Sequence, residues 1–398
     1  MKIATIDLLP FELPLHQPLQ TALGQIKTRS GFLIKVGDHD GNVGIGEATP
    51  LAGFGMESLS QTKIALQQMQ PSLLGQEIAK IRAIACLLTN FQCYPAAMHG
   101  MELALLDLLA INQDLSLAEL LAEEAPTRSK IKVNALIGMG SVEMAAAQAK
   151  NICDRGYDCI KIKVGNSTQI KRPNQATDQT ITNAANYSEV ERPNNFLTDY
   201  ERIKAVRKVC GDRVQIRIDP NQSWQLEEAI ANLTKLAPLE IEYAEQPIDR
   251  HDLAGMAKLK NAVDIPIAAD EAVSSLKDLD RLIGAQAADI VILKPMAIGG
   301  LWSAKQAADL AIAAGLEVVI TTTIDGAIAQ QGAIHLAAAI LHLTSTSTRA
   351  CGLATHGLLA HNLVAQEVID RLMPVYGKVE LGDRPGLGIS PTELMSYV

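Results

Sequence analysis

Three acidic residues end three successive short apolar runs of the sequence, and a lysine ends the fourth. Asp219 ends "QIRID", Glu245 ends "IEYAE", Asp270 ends "IPIAAD" and Lys294 ends "DIVILK". The intervals are 26 residues (219 to 245), 25 (245 to 270) and 24 (270 to 294), each about the length of one strand and one helix. Equivalent positions on neighbouring strands of a parallel barrel meet at its carboxyl-terminal mouth. The spacing therefore predicts that the four side chains converge.

Each acid alone has an ordinary structural explanation. Asp219 before Pro220 could cap a turn, Asp270 could cap a helix over "EAVSSLKDL", and Glu245 could end a strand in solvent. Together, three carboxylates at one point would repel each other unless a cation lies between them. No histidine or cysteine joins the set, and an all-oxygen site suits a hard cation. The sequence therefore predicts an Mg²⁺ site, with Mn²⁺ as an alternative ion.

Two lysines come from the strand predicted for "CIKIKVG". Side chains alternate along a strand, so Ile160 and Ile162 share one face while Lys161 and Lys163 share the other. A solvated edge strand would explain this pattern equally well on its own. Beside a metal ion in the barrel mouth, however, burial and a like-charged neighbour favour a neutral amine with a lowered pKa, which can act as a general base. Lys294, on the opposite side, is either a second acid–base group or a fixed positive charge.

The order K-x-K, D-x-N, E-x-P, D-E and K along these strands resembles the muconate-lactonizing subgroup of the enolase superfamily. The resemblance covers nearly the whole chain, and it implies a role for each matching residue. The implied metal ligands are Asp219, Glu245 and Asp270, with Lys163 as the base, Lys161 as its electrostatic neighbour, Lys294 as the lysine of the opposite face, and Asn221 and Glu271 as groups that support the ligands.

Eight short apolar runs that alternate with helical stretches, from "KVNALIG" to "RACGLAT", predict a closed (β/α) barrel. The resemblance makes this a modified (β/α)7β TIM-type barrel with an N-terminal α+β capping domain. We expect the capping domain at 1–130, the barrel at 131–355, and a C-terminal segment, 356–398, that completes the capping domain. An Asn- and Thr-rich insertion at about 166–196 interrupts the barrel, as a lid, an oligomer contact or a tolerated insertion.

Three reactions share this lysine arrangement: o-succinylbenzoate synthesis, dipeptide epimerisation and muconate cycloisomerisation. The stretches "GEATPLAGFGMESL" and "ACGLATHGLLAHNL" resemble the o-succinylbenzoate synthase family. This implies an Mg²⁺-dependent syn-dehydration of 2-succinyl-6-hydroxy-2,4-cyclohexadiene-1-carboxylate through a metal-stabilised enediolate, toward menaquinone or phylloquinone. Dipeptide epimerases usually present Asp-x-Asp where this chain has Gly352–Thr355. Epimerase, cycloisomerase and non-catalytic barrel protein remain the alternatives.

The resemblance also implies which segments close over the substrate. They are the capping loops near Thr21–Gly24 and Pro50–Gly55, and the turn after the seventh strand. The substrate-binding residues expected from these segments are Thr21, Gly24, Phe54, Thr321, Thr323 and Asp325.

Composition excludes several classes of partner. The chain has 398 residues and a net charge of −9 without a Lys/Arg run, so we expect no nucleic-acid partner. Its apolar stretches are too short to cross a bilayer, and its start lacks the pattern of a signal peptide. Six scattered cysteines without a C-x-x-C pair are typical of reduced thiols in a cytoplasmic protein. The expected ligand is a small-molecule carboxylate, and a homo-oligomer is left open.

Overall fold

The computed structural model describes residues 1–21, 24–123, 129–165, 196–340 and 349–395. The insertion predicted at about 166–196 therefore lies outside the described residues, except for its last position.

The strands are β1 (Ile3–Thr21), β2 (Gly24–Asp38), β3 (Val43–Ala48), β4 (Lys130–Lys132), β5 (Ala135–Ile137), β6 (Cys159–Lys163), β7 (Gln215–Asp219), β8 (Ile241–Glu245), β9 (Ile267–Ala269), β10 (Ile290–Leu293), β11 (Glu317–Ile320) and β12 (Lys378–Glu380). The helices are α1 (Leu59–Leu73), α2 (Ile81–Leu88), α3 (Pro95–Asn112), α4 (Leu117–Ala122), α5 (Val142–Asp154), α6 (Phe196–Cys210), α7 (Leu226–Leu236), α8 (Leu253–Ala262), α9 (Leu276–Gly284), α10 (Leu301–Ala313), α11 (Ala327–Ile340) and α12 (Gln366–Leu372).

The N-terminal part of the chain forms an antiparallel sheet, β1-β2-β3, covered by helices. The turn between β2 and β3 is an Asp-Gly turn, in which Gly41 has a φ of 89° that favours glycine. The Asp38 carboxylate stabilises the turn by accepting hydrogen bonds of 2.9 Å from the amides of Asp40 and Asn42. This sheet and its helices agree with the N-terminal α+β fold that the resemblance implies.

Two glycines of β3 allow a close approach to α3. A Cβ atom on Gly44 would collide with the carbonyl oxygen of Ala104, and one on Gly46 would collide with that of Gly100. Because α3 is buried along nearly its whole length, this contact joins the sheet to the centre of the core. The glycines therefore serve packing between strand and helix, and not the phosphate loop that their spacing superficially resembles.

The second part is a curled parallel sheet in the order β11-β10-β9-β8-β7-β6-β5. Its two edges meet at the stretch predicted as the eighth strand, which forms two single-residue parallel bridges, Cys351 to Val133 and Gly352 to Thr321, in place of a ladder. At this closure the Thr321 hydroxyl donates 3.0 Å to the carbonyl of Gly352, and the Thr321 side chain fills the space beside this glycine. The barrel architecture predicted from the sequence is confirmed, with this irregular closure.

The C-terminal residues return to the N-terminal part. β12 pairs antiparallel with β4, and the amide of Leu387 donates 2.6 Å to Asp107 Oδ1 of α3. The other oxygen of Asp107 accepts 2.8 Å from the amide of Ile45 in β3. Burial raises the pKa of Asp107 to about 7. One carboxyl group thus connects a helix, a strand and the C-terminal segment.

No described helix is both long and apolar enough to cross a membrane.

Candidate active site

The charged residues predicted from strand spacing lie at the carboxyl ends of five neighbouring strands. Lys161 and Lys163 lie on β6, Asp219 and Glu245 end β7 and β8, and Asp270 and Lys294 follow β9 and β10 directly. The opposite face of β6 is apolar, with its isoleucines fully buried. Because β7, β8 and β9 separate β6 from β10 in the sheet, the lysines flank the acids from two sides.

The lysines and acids form a continuous set of ion pairs. Lys163 Nζ lies 2.6 Å from Asp219 Oδ2, and Lys161 Nζ bridges Asp219 Oδ2 at 3.1 Å and Glu245 Oε1 at 2.8 Å. On the other side, Lys294 Nζ donates to both oxygens of Asp270, at 2.5 and 2.6 Å. Each predicted acid therefore has a lysine partner.

Burial differs sharply between the acids and the lysines. Asp219, Glu245 and Asp270 are 1%, 2% and 4% exposed, whereas the side chain of Lys163 is 31% exposed. Lys161 and Lys294 are intermediate, at 16% and 11%. Lys163 is therefore the lysine most open to a molecule in the barrel mouth.

Burial sets the electrostatics of the acids. It raises the pKa of Glu245 to about 7, against the charge of Lys161 and with the help of Asp219 and Asp270. Burial acts on the pKa of Asp219 in the same direction, but the ion pairs with Lys163 and Lys161 outweigh it and lower this pKa. Burial and ion pairing thus move the pKa values of these two neighbouring acids in opposite directions.

The expected lowering of an amine pKa is wrong for Lys161. Burial alone would lower the pKa of Lys161, but the adjacent carboxylates of Glu245 and Asp219 raise it well above its ordinary value. Asp270 and Glu271 have the same effect on the pKa of Lys294. At distances of about 3 Å, the ion pairs therefore shift the pKa of these lysines more than desolvation does.

The donor chemistry of the site fits a hard divalent cation. As the side chains lie, no three His, Cys, Asp or Glu side chains of the described residues surround a common point closely enough to hold a metal. The reason is visible in the ion pairs, because Lys161 Nζ lies between Glu245 and Asp219 while Lys294 Nζ covers Asp270. A cation would have to displace these two amines. Three buried carboxylates remain a suitable oxygen set for Mg²⁺, so the metal site stays a prediction.

Two residues expected to support the ligands contact each other. Asn221 accepts 2.5 Å from Lys163 Nζ through Oδ1, and its Nδ2 donates 3.3 Å to Glu271 Oε1. The other oxygen of Glu271 is buried and has no hydrogen-bond partner. Asn221 has a φ of 48°, a left-handed conformation that asparagine tolerates better than most residues. This backbone turn places the side-chain amide of Asn221 beside Lys163.

Gln246 is a positioning residue that the sequence reasoning missed. Its side chain is fully buried, and Oε1 accepts hydrogen bonds from the amides of Asp270 at 3.0 Å and Ala272 at 3.1 Å. Its carbonyl accepts 2.7 Å from the amide of Gln222. One residue thus ties together the turns after β7, β8 and β9. Its place between the predicted ligand and proline in "EQP" was the available signal.

A second missed contact fixes the end of β6 to α6. Arg202 Nη1 donates 3.0 Å to the carbonyl of Lys163 and 2.8 Å to Asp199 Oδ1. Asp199 Oδ2 in turn accepts 2.7 Å from the amide of Gly165. The backbone that carries Lys163 is therefore held by a buried ion pair at the start of α6.

The loop at Pro50–Gly55 and the turn after β11 both reach the site. The ring of Phe54 lies 5.0 Å from Lys294 Nζ, so this predicted substrate residue reaches the site. Arg29 joins the two parts, donating to the carbonyls of Thr49 at 2.6 Å, Pro50 at 3.1 Å and Ile324 at 3.1 Å. Ile324 has a φ of 62°, a strained conformation for a β-branched residue.

For the other predicted substrate residues, the structure shows contacts within the protein. Thr323 Oγ1 donates 2.5 Å to Asp325 Oδ1, and Thr321 donates to the eighth-strand backbone, so their polar groups are occupied within the protein. Thr21 and Gly24 form the last backbone pair between β1 and β2. Their contact with a substrate stays a prediction.

Comparison with known families agrees with this geometry. Residues 144–395 match the family described as enolase C-terminal domain-like, and residues 3–122 match the N-terminal domain of mandelate racemase / muconate lactonizing enzyme. An L-Ala-D/L-Glu epimerase from Bacillus subtilis is 30% identical over 351 residues, which cover 86% of this chain and 87% of the relative. An o-succinylbenzoate synthase from Thermobifida fusca is 28% identical over 360 residues, which cover 90% and 84%.

A solved structure extends the similarity to the whole fold. The dipeptide epimerase from Enterococcus faecalis V583, complexed with Mg and the dipeptide L-Leu-L-Tyr, matches with a TM-score of 0.82 and 26% identity. The match covers 98% of this chain and 100% of that one. Both family matches together span most of the sequence, and the chain belongs to the muconate-lactonizing subgroup of the enolase superfamily.

Proposed function

We propose that this enzyme removes the proton from the carbon next to a carboxylate in a small organic acid, with Lys163 as the base. The observation that carries the proposal is the position of Lys163, which is the most exposed lysine of the site and is hydrogen-bonded to Asp219 and Asn221. Lys161 is more buried and bridges two acids, Glu245 and Asp219, which raise its pKa, so Lys163 is the better candidate for the base.

The three acids would hold the metal ion, and the Mg²⁺ in the E. faecalis relative supports this choice of ion. The implied ligands are Asp219, Glu245 and Asp270. When bound, Mg²⁺ would stabilise the negative charge that develops on the substrate carboxylate as the proton leaves.

The first candidate reaction is epimerisation, as in the dipeptide epimerases that this chain resembles. After Lys163 removes the proton, the α-carbon becomes planar. A proton returned by Lys163 restores the original configuration, whereas a proton from Lys294 inverts it. Lys294 directly follows β10, and three strands separate β10 from β6, which is the placement that a two-lysine inversion needs. The substrate of this reaction would be a dipeptide.

The second candidate is the o-succinylbenzoate synthesis expected from the sequence motifs. One observation favours it: the stretch Gly352–Thr355 contains no acid that could bind the ammonium group of a dipeptide. The hydroxyl of Thr355, at the end of this stretch, is hydrogen-bonded to Thr322 at 2.6 Å and to Gln330 at 3.0 Å. In a syn-dehydration Lys163 would take the α-proton and deliver a proton to the departing hydroxide, which leaves as water. Lys294 would then act only through its charge.

Proton exchange in D₂O separates the two reactions. With Mg²⁺ present, an epimerase incorporates deuterium at the glutamate α-carbon of L-Ala-L-Glu and produces L-Ala-D-Glu, both visible by ¹H NMR. A synthase leaves the dipeptide unchanged and converts the cyclohexadiene carboxylate into an aromatic product that absorbs in the ultraviolet. If the protein catalyses neither reaction on these two substrates, both candidates are contradicted.

Two lysine substitutions test the roles within either reaction. Lys163→Ala should lower turnover by about 10²–10⁴-fold in both cases, because the base is lost. Lys294→Ala should abolish inversion while one epimer still exchanges its α-proton, since Lys163 remains. Near-normal turnover of Lys163→Ala, with Mg²⁺ affinity unchanged, would show that another group is the base.

A further inference from the structure

Two cysteine sulfur atoms are in contact at the C-terminal ends of two neighbouring helices. Cys153 is the next-to-last residue of α5, and Cys210 is the last residue of α6. Their Sγ atoms lie 2.7 Å apart, which is closer than unbonded sulfur atoms ordinarily pack and not far from the roughly 2.04 Å of a disulfide bond. Both are free thiols and both are half-buried.

We propose that Cys153 and Cys210 are a redox modification site, at which a reversible disulfide bond joins the C-terminal ends of α5 and α6. The two residues are 57 positions apart, and the loop that the bond would close contains all of β6 with its two lysines. The helices pack side by side around this strand, so the bond would join elements that are already neighbours. A cross-link of this span stabilises a fold chiefly by restricting the unfolded chain.

The bond can form by exchange with a low-molecular-weight disulfide such as oxidised glutathione. The Cys153 thiolate attacks one sulfur of the oxidant and releases one glutathione thiolate, which leaves a mixed disulfide. The Cys210 thiolate then attacks Cys153 Sγ and releases the second glutathione. The protein loses two protons and two electrons, and the oxidant is reduced to two molecules of glutathione.

The surroundings of Cys210 predict that this second step is slow. Burial raises the pKa of Cys210 to about 12, and its hydrogen-bonding contact with Cys153 adds to the effect. The C-terminal end of α6 also disfavours negative charge. The neutral disulfide carries neither penalty. The pair therefore suits a bond that forms slowly and then persists, more than a rapid redox sensor.

The bond should change stability without changing catalysis. Asp199 and Arg202, which fix the end of β6, lie in the first half of α6, whereas Cys210 is at the opposite end of that helix. The site therefore lies at the other end of the barrel from the sulfur pair. We expect a rise in Tm of roughly 5 °C on oxidation, with kcat and KM within about twofold of the reduced enzyme.

Peptide mapping of the full chain tests the proposal. The native protein is incubated with oxidised glutathione, alkylated, unfolded and digested with trypsin. The expected product is the peptide 151–155 linked to 209–213, each with a single cysteine, which dithiothreitol separates. The Tm shift should disappear in Cys153→Ser and in Cys210→Ser. Cys86→Ser, at an exposed cysteine of α2, is the matched control and should keep both the linked peptide and the shift.

Three outcomes would overturn the proposal. The first is native oxidised protein in which Cys153 carries only glutathione or alkylating agent and no linked peptide forms. The second is a linked peptide that appears only after the chain has been unfolded. The third is a linked peptide without any change in Tm. Because the peptide measurement uses the wild-type chain, it decides the matter even if a serine variant fails to fold.

Discussion

Replacing Gln246 with leucine is the sharpest test of how the site is held together. The side chain is fully buried and makes three hydrogen bonds to backbone groups: it accepts from the amides of Asp270 and Ala272, and it donates 3.2 Å to the carbonyl of Ile248. Leucine has a similar volume and can replace none of them. At about 1 kcal/mol for each buried hydrogen bond, the free energy of unfolding should fall by about 3 kcal/mol.

The same substitution should weaken Mg²⁺ binding, because the amide that Gln246 holds belongs to the predicted ligand Asp270. Urea unfolding followed by circular dichroism gives the stability, and calorimetric titration gives the metal affinity. Gln331→Leu is the matched control: it is also buried, and its Nε2 donates 3.3 Å to the carbonyl of Leu387, away from the site. The control variant should have a lower free energy of unfolding and an unchanged Mg²⁺ affinity. A Gln246→Leu protein with less than about 1 kcal/mol of destabilisation and unchanged Mg²⁺ affinity would refute the reasoning.

Three further substitutions address charge, domain contact and pH. Glu245→Gln removes a buried carboxylate, so calorimetry should show Mg²⁺ affinity reduced by about tenfold or more, and an unchanged affinity would exclude Glu245 as a ligand. Arg29→Lys cannot reach the three carbonyls that the guanidinium binds, so steady-state kinetics should show KM raised more than kcat is lowered; a loss in kcat alone would argue against it. Asp107→Asn removes a carboxyl whose pKa burial raises to about 7. Because the native state binds this proton more tightly than the unfolded state, wild-type stability relative to the variant should fall as pH rises from about 4 through 7, and parallel pH profiles would contradict this.

The strand-end residues could be predicted because a parallel barrel repeats its strands at nearly constant intervals. The 24- to 26-residue spacing between Asp219, Glu245, Asp270 and Lys294 reports that repeat directly. The alternation in "CIKIKVG" likewise follows from strand geometry alone, and the isoleucines of β6 are buried as expected. Periodic features of the backbone are therefore readable from the sequence.

Contacts between polar side chains and distant backbone groups have no such period. Arg29 and the carbonyl of Ile324 that it binds are 295 positions apart, and nothing near either residue signals the partner. Arg202 was missed for the same reason, whereas the position of Gln246 in "EQP" was a signal that was not used. The sign of the pKa shift at Lys161 was also out of reach, because desolvation and charge pairing oppose each other and only the distances decide between them.

The hydrogen bond between Leu387 and Asp107 has a consequence for how the protein is made. Its two residues are 280 positions apart, so a ribosome that synthesises the chain completes α3 long before the partner of Asp107 exists. During that interval the helix lacks part of its cover, and this carboxyl group must remain hydrated or contact something else. This contact can form only after residue 387 has been made, when the barrel strands have already emerged. The nascent chain therefore passes through a stage with an exposed apolar helix face, at which chaperones can bind and aggregation can begin.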